Sequence, residues 1–202
     1  IIAHSFCYLA MGLLTKLMAF FYLNVTLLTK MYKKYNYKRR IKMTELELLI
    51  DFHKDAERQG PGSAADTLKA LDLIDLSKNK DLKIADIGCG SGAQTVTLAQ
   101  NIDGRITAVD LFPEVLRKVD IKAKEKGLTD KITTLKKSMD NLDFNREEYD
   151  IIWSEGAIYI MGFESGIKSW RKFLKTGGYL AVSEITWLTE KRPEEIDEYW
   201  HN

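Results

Sequence analysis

The feature that most limits what this chain can fold into is the run Leu82-Lys83-Ile84-Ala85-Asp86-Ile87-Gly88-Cys89-Gly90-Ser91-Gly92-Ala93. A short apolar segment of β type runs into three glycines within five residues, and a helix-forming segment follows directly. Glycines so placed let the backbone turn tightly, and they let a ligand lie against main-chain N–H groups at the start of a helix. A strand, a glycine turn and a helix in that order are the opening unit of a parallel α/β sheet.

The chain downstream keeps the alternation. Strands are expected at 82–87, 106–110, 132–136, 149–153 and 179–185, with helices at 93–101, 113–126 and 164–174 between them. Strands separated by helices of this length pair in parallel with helices on both faces. Right-handed crossovers then give a doubly wound, Rossmann-like α/β domain whose crevice opens at the carboxyl ends of the strands. Upstream, Thr44 and Glu47 form a capping box for an amphipathic helix carrying Leu46, Leu49, Ile50 and His53. That helix is expected to end at Gln59-Gly60-Pro61-Gly62, a breaker cluster, after which Ser63 caps a second helix through Leu68 and Leu71.

Composition divides the chain. Of 202 residues, 45% are hydrophobic and 29% charged, enough for one sizeable core. Eight of the 30 Lys and Arg precede residue 43, where no acid occurs, leaving 22 basic against all 29 acidic side chains from Met43 on. An acidic main domain argues against a broad phosphate-backbone footprint, so no DNA partner is expected. Residues 1–42 are an apolar stretch broken by Lys16 and followed by the basic run Lys30–Lys42. Two readings stand for it: a membrane anchor with a positive flank, or translated upstream sequence ahead of a start at Met43. A cleaved secretory signal fits poorly, because no small-residue cleavage site precedes the basic run. The only cysteines, Cys7 and Cys89, make neither a disulfide framework nor a zinc cluster, and a cytoplasmic setting is expected.

The chemistry concentrates at the strand ends. Asp110 closes the second strand, 18 residues past Gly92, where a carboxylate takes both ribose hydroxyls of a nucleoside lying across the sheet. Gly88, Gly90 and Ala93 also satisfy the dinucleotide pattern GxGxxG/A, so an NAD(P)-dependent oxidoreductase is an alternative on these residues alone.

Four ordered segments decide between the two. Asp86 stands two residues before Gly88; Ser138-Met139-Asp140 follows the third strand, with Leu142 and Phe144 after it; Glu148–Trp153 forms a fourth strand; and Leu174-Lys175-Thr176-Gly177-Gly178-Tyr179-Leu180 leads into a fifth. With them, residues from about Leu68 to Trp187 resemble the class I S-adenosylmethionine-dependent methyltransferases. They are most similar to small-molecule types carrying "SMDxLxF", "WSEGAIY" and "RQGPGS" segments.

The resemblance implies S-adenosyl-L-methionine as cofactor. Gly88, Cys89, Gly90 and Gly92 would line its methionine moiety, with Asp86 ordering the loop or meeting the ammonium group. Asp110 would hold the ribose, Leu111 or Phe112 would pack on the adenine, and Ser138, Met139 and Asp140 would read the adenine edge. Ser154 and Glu155 would face the transferred methyl, with Glu155 the expected general base where the acceptor enters protonated. Arg58 is expected to meet a carboxylate such as the cofactor's. The amino-group signature (D/N)-P-P-(Y/F) is replaced by Trp153-Ser154-Glu155-Gly156, which weighs against methylation of a DNA base or a protein glutamine; likeness to the small-molecule type implies a small-molecule methyl acceptor. A membrane partner is expected only if residues 1–42 belong to the mature protein. The family's last two strands find no counterpart, so residues 43–202 read as a C-terminally incomplete methyltransferase domain. A non-catalytic cofactor-binding protein is therefore the third reading.

Overall fold

The computed structural model describes residues 56–76, 80–184 and 194. The extension 1–42, the helix expected from Thr44, His53 and Trp187 lie outside the described residues, as does all of the segment after Glu184 except Glu194.

Five parallel strands form one sheet in the order β3-β2-β1-β4-β5: β1 Leu82–Ile87, β2 Gly104–Asp110, β3 Ile132–Lys136, β4 Tyr149–Glu155 and β5 Leu174–Ser183. Helices α1 Ala64–Leu71, α2 Ala93–Asn101, α3 Pro113–Glu125 and α4 Phe163–Trp170 flank it. This is the expected doubly wound α/β architecture. The strand order changes direction between β2 and β4, on either side of β1, which is where ligand crevices form in open α/β sheets.

The strands belong in the interior because they are apolar on both faces, as a covered parallel sheet requires. One layer packs Ile84, Ile106, Ile151 and Trp153 against Val96 and Leu98 of α2 and Val119 of α3. The opposite layer packs Ala85, Ile87, Ile152 and Leu180 against Ile158, Trp170 and Phe173. Alternation along β1 therefore sends Asp86 to the same face as Ile84, beneath α2, where it is wholly buried.

Element boundaries differ from the sequence expectation at several points; strand β4, for one, runs two residues past the expected end, to Glu155. Strand β2 starts at Gly104, pairing with Leu82, because a glycine is required there: a Cβ would lie 2.4 Å from the Leu82 carbonyl oxygen. Strand β5 starts at Leu174, since Lys175–Gly178 form an irregularity between the pairs Tyr149–Leu174 and Ile151–Tyr179, an interruption within the strand. The helix expected at 164–174 runs from Phe163 to Trp170 and tightens into a 3₁₀ turn, Arg171–Phe173. Among the described residues, no helix is long and apolar enough to cross a membrane.

Candidate active site

The glycine turn is built so that it can carry almost no side chains. Gly88, Gly90 and Gly92 adopt φ of +74°, +52° and +79°, a region disfavoured for residues with a Cβ. Added Cβ atoms would lie 2.4 Å from the Ala157 Cβ at Gly88 and 2.8 Å from Val119 Cγ2 at Gly92. The turn is pinned to β2: the N–H groups of Gly88 and Cys89 both donate to the Val109 carbonyl, at 2.9 Å. Cys89 is buried, which pushes its thiol pKa up.

Asp86 anchors the turn from below. Its Oδ2 accepts from Thr95 Oγ1 at 2.5 Å, and its Oδ1 from Gln94 Nε2 at 3.4 Å. Gln94 Nε2 also donates to the Cys89 carbonyl at 3.1 Å. Of the two roles expected for Asp86, ordering the loop is therefore the one visible. Burial pushes its carboxyl from 3.8 up to about 7; Thr95 pulls the other way, and the nearby negative charge of Glu155 adds to the rise. The signal for the two helix partners was present in the sequence, since Gln94-Thr95 opens the helix directly after the turn.

Asp110 joins β2 to the same turn. Its Oδ2 accepts from the Gly90 N–H at 2.9 Å and its Oδ1 from the Phe112 N–H at 3.1 Å. A carboxylate has about four lone-pair sites, so each oxygen keeps capacity for a ligand hydroxyl. Its pKa is raised, chiefly by burial. Next to it, Leu111 is 46% exposed, an apolar side chain held in solvent beside the crevice. Ser138 and Asn141 close a turn by an N–H to carbonyl bond of 3.1 Å. Within that turn, Met139 packs on the α4-side core and takes a 2.9 Å bond from Trp170 Nε1 on its carbonyl, while Asp140 is exposed.

At the end of β4, Ser154 and Glu155 project to opposite faces, as consecutive strand residues must. They do not share one surface in the way the sequence suggested. Ser154 is fully buried and its Oγ has no hydrogen-bond partner. Glu155 is heavily engaged: Oε1 accepts from Thr67 Oγ1 and from Trp153 Nε1, both at 2.8 Å, and Oε2 pairs with Arg58 Nη2. A carboxylate holding three donors, one of them a guanidinium, is poorly placed to collect a proton from an acceptor.

Residues 57–62 form a strap over this end of the sheet. The Glu57 carbonyl accepts from Ser91 Oγ at 2.8 Å and from Lys122 Nζ at 2.9 Å, and Lys122 also bonds the Ser91 carbonyl at 2.9 Å. Gln59 Oε1 lies 2.6 Å from where a Gly90 Cβ would stand, so its carboxamide rests on the glycine turn. Ser63 then caps α1, its Oγ accepting from the Asp66 N–H at 3.3 Å. The Arg58–Glu155 pair bridges 97 positions of sequence. Arg58 thus meets a carboxylate, as expected, though one supplied by the protein. Lys122 and Thr67 carried no sequence signal, whereas Gln59 belongs to the breaker cluster and the RQGPGS segment.

Residues 84–178 match the profile of a family described as a methyltransferase domain. Over 122 residues the chain is 26% identical to a sterol 24-C-methyltransferase of Debaryomyces hansenii, covering 60% of this chain and 32% of that one. Over 107 residues it is 31% identical to a probable protein arginine N-methyltransferase 6 of Arabidopsis thaliana, covering 51% and 24%. The chain spans less than half the length of these curated relatives. Its fold is shared by an S-adenosylmethionine-dependent methyltransferase of Geobacter sulfurreducens in complex with S-adenosyl-L-homocysteine, at a TM-score of 0.63 and 20% identity over 74% of this chain and 60% of that one.

Proposed function

We propose that the chain, whose residues 84–178 match the profile of a methyltransferase domain, is a class I S-adenosylmethionine-dependent methyltransferase that transfers a methyl group from S-adenosyl-L-methionine to a small-molecule acceptor. One observation carries this reading: the Gly90 N–H donates to Asp110, making the glycine turn and the ribose-type carboxylate a single surface across the ends of β1 and β2. The residues fit the cofactor. Gly88, Cys89, Gly90 and Gly92 would line the methionine moiety with backbone, the glycines being those against which Ala157, Gln59 and Val119 pack, and Asp110 keeps lone pairs for two ribose hydroxyls. Leu111 would supply an apolar face for the adenine, and Ser138, Met139 and Asp140 would read its edge. When bound, the cofactor supplies an electrophilic methyl on a sulfonium.

What the protein adds is position and dryness. An acceptor held in line, with water excluded, gains most of the acceleration such a transfer needs. The strap 57–62 and the buried end of β4 provide that enclosure. Glu155 serves better as the anchor of the strap than as a base, because its lone pairs already hold Thr67, Trp153 and Arg58. An apolar lip follows β4, where Tyr159, Ile160 and Phe163 are 45%, 65% and 36% exposed. That lip favours an acceptor with an apolar body, in keeping with a sterol methyltransferase among the relatives.

The test is calorimetric titration of S-adenosylmethionine and, separately, NADH into the full chain and into Asp110→Ala. Loss of a carboxylate that accepts from ribose hydroxyls lowers affinity about tenfold to a hundredfold. Selective S-adenosylmethionine binding that weakens in the variant is expected; binding of NADH alone, or of neither by folded protein, overturns the proposal.

A further inference from the structure

Lys122 of α3 joins two remote segments through their main chains. Its Nζ donates to the Glu57 carbonyl of the strap and to the Ser91 carbonyl of the glycine turn, both at 2.9 Å. The same Glu57 carbonyl also accepts from Ser91 Oγ at 2.8 Å. The lysine is half-buried, and among the described residues its amine forms no ion pair; both of its acceptors are neutral.

An ordinary lysine ammonium has three N–H donors and no lone pair, so it is no nucleophile. At this position the neutral amine is favoured. Lys118 and Lys126 stand one helical turn to either side, and like charges at that spacing repel. The Lys122 pKa is lowered, chiefly by loss of solvent; the Glu57 charge opposes this and the two lysines reinforce it. The neutral amine also fits the observed geometry, because it keeps two N–H groups, one for each carbonyl, and has a lone pair left over. An amide made on the same nitrogen has one N–H and no charge. One of the two carbonyls then loses its donor.

We propose that Lys122 is an acylation site, and that its modification unlatches the strap from the glycine turn and so weakens cofactor binding. The acyl donor is a thioester. The Nζ lone pair attacks the thioester carbonyl; an N–C bond forms as the C–S bond breaks, the thiolate leaves with the electron pair, and one amine proton passes to solvent. The single remaining N–H cannot serve both Glu57 and Ser91, so Gln59, which rests on Gly90, loses the anchor two residues before it. The consequence for the cofactor rests on the methyltransferase reading, in which S-adenosylmethionine lies against that turn; the acylation and the unlatching do not.

The full chain is incubated with acetyl-coenzyme A at pH 8 and followed by peptide mass mapping. Lys122 is expected to gain acetyl about threefold faster, or more, than Lys124, an exposed neighbour on the same helix. Chain carrying genetically encoded Nε-acetyllysine at position 122 is then compared with wild type. Amide exchange at 57–62 should quicken about tenfold while β1 and β4 stay as they were, and S-adenosylmethionine should bind about threefold to tenfold more weakly. Lys122→Arg, which keeps charge and donors, should resemble wild type in both; Lys122→Gln stands in for the acetylated chain if that chain fails to fold. Acetylation of Lys122 no faster than that of Lys124 overturns the site. Exchange at 57–62 that is the same with and without the acetyl group overturns the latch, and a loosened strap with undiminished affinity overturns its link to the cofactor. If neither form binds S-adenosylmethionine, the methyltransferase reading fails together with that link, and the mass and exchange results still decide the site and the latch.

Discussion

Asp86 makes the stability of this domain depend on pH in a direction opposite to that of an ordinary paired carboxylate. Its carboxyl titrates near 3.8 in the unfolded chain and is pushed up to about 7 by burial in the fold. The folded state therefore holds the proton more tightly. The stabilisation is fully present below the unfolded value and is lost as pH rises through the folded one. A gap of about 3 pH units corresponds to about 4 kcal/mol in all, of which about 3 kcal/mol falls between pH 4.5 and 7.5. Other carboxylates titrate in the same range, so the clean quantity is the difference between wild type and Asp86→Asn. The amide cannot ionise, and Thr95 Oγ1 can rotate to accept from it while Gln94 donates to its oxygen. Urea unfolding followed by tryptophan fluorescence at a series of pH values gives both curves; Trp153, the neighbour of Asp86 in the β1–β4 register, is a natural reporter. Wild type minus variant should fall by about 3 kcal/mol from pH 4.5 to 7.5. Adding Glu155→Gln to wild type should flatten the fall, since that charge helps raise the Asp86 pKa. Parallel stability profiles for wild type and Asp86→Asn would refute the reasoning, because they would mean that Asp86 binds its proton equally well folded and unfolded.

Three further outcomes are expected. Gly92→Ala should cost about 2 to 4 kcal/mol, from a left-handed backbone and overpacking on Val119, and Val119→Ala in the same chain should recover part of it; additive urea midpoints would contradict the contact at 2.8 Å. Trp170→Phe should lose about 1 kcal/mol by leaving the Met139 carbonyl without its indole donor, with the loss read in thermal unfolding and reduced affinity for the cofactor if the Ser138–Asn141 turn moves. Lys122→Met should loosen the strap, seen as faster amide exchange and easier proteolysis at residues 57–62 with global stability changed by less than about 1 kcal/mol.

What the sequence disclosed and what it withheld follow from how far apart the interacting residues lie. The glycine turn, Asp86 and Asp110 are readable because their constraint is local: a backbone that must take positive φ, and acids at fixed offsets from strand ends. Apolar runs bounded by glycines likewise place β1 to β4 within two residues of where they stand. The start of β5 escapes that logic, since Lys175–Gly178 look like a turn in isolation and are held in the strand by pairing with β4 on either side. Glu155 escapes it more instructively. At the end of β4 its position suggests a base, and only the folded chain brings Arg58 and Thr67 to it from 97 and 88 positions away. Those partners are what change its chemistry, from a proton acceptor to the fixed end of a strap. A strand-end carboxylate can thus be located from sequence, while its availability depends on donors from remote segments. Asp110 and Glu155 make the contrast: the first is held by the backbone N–H groups of Phe112 and of Gly90 on the glycine turn and keeps lone pairs to offer, the second is held by side chains and has few.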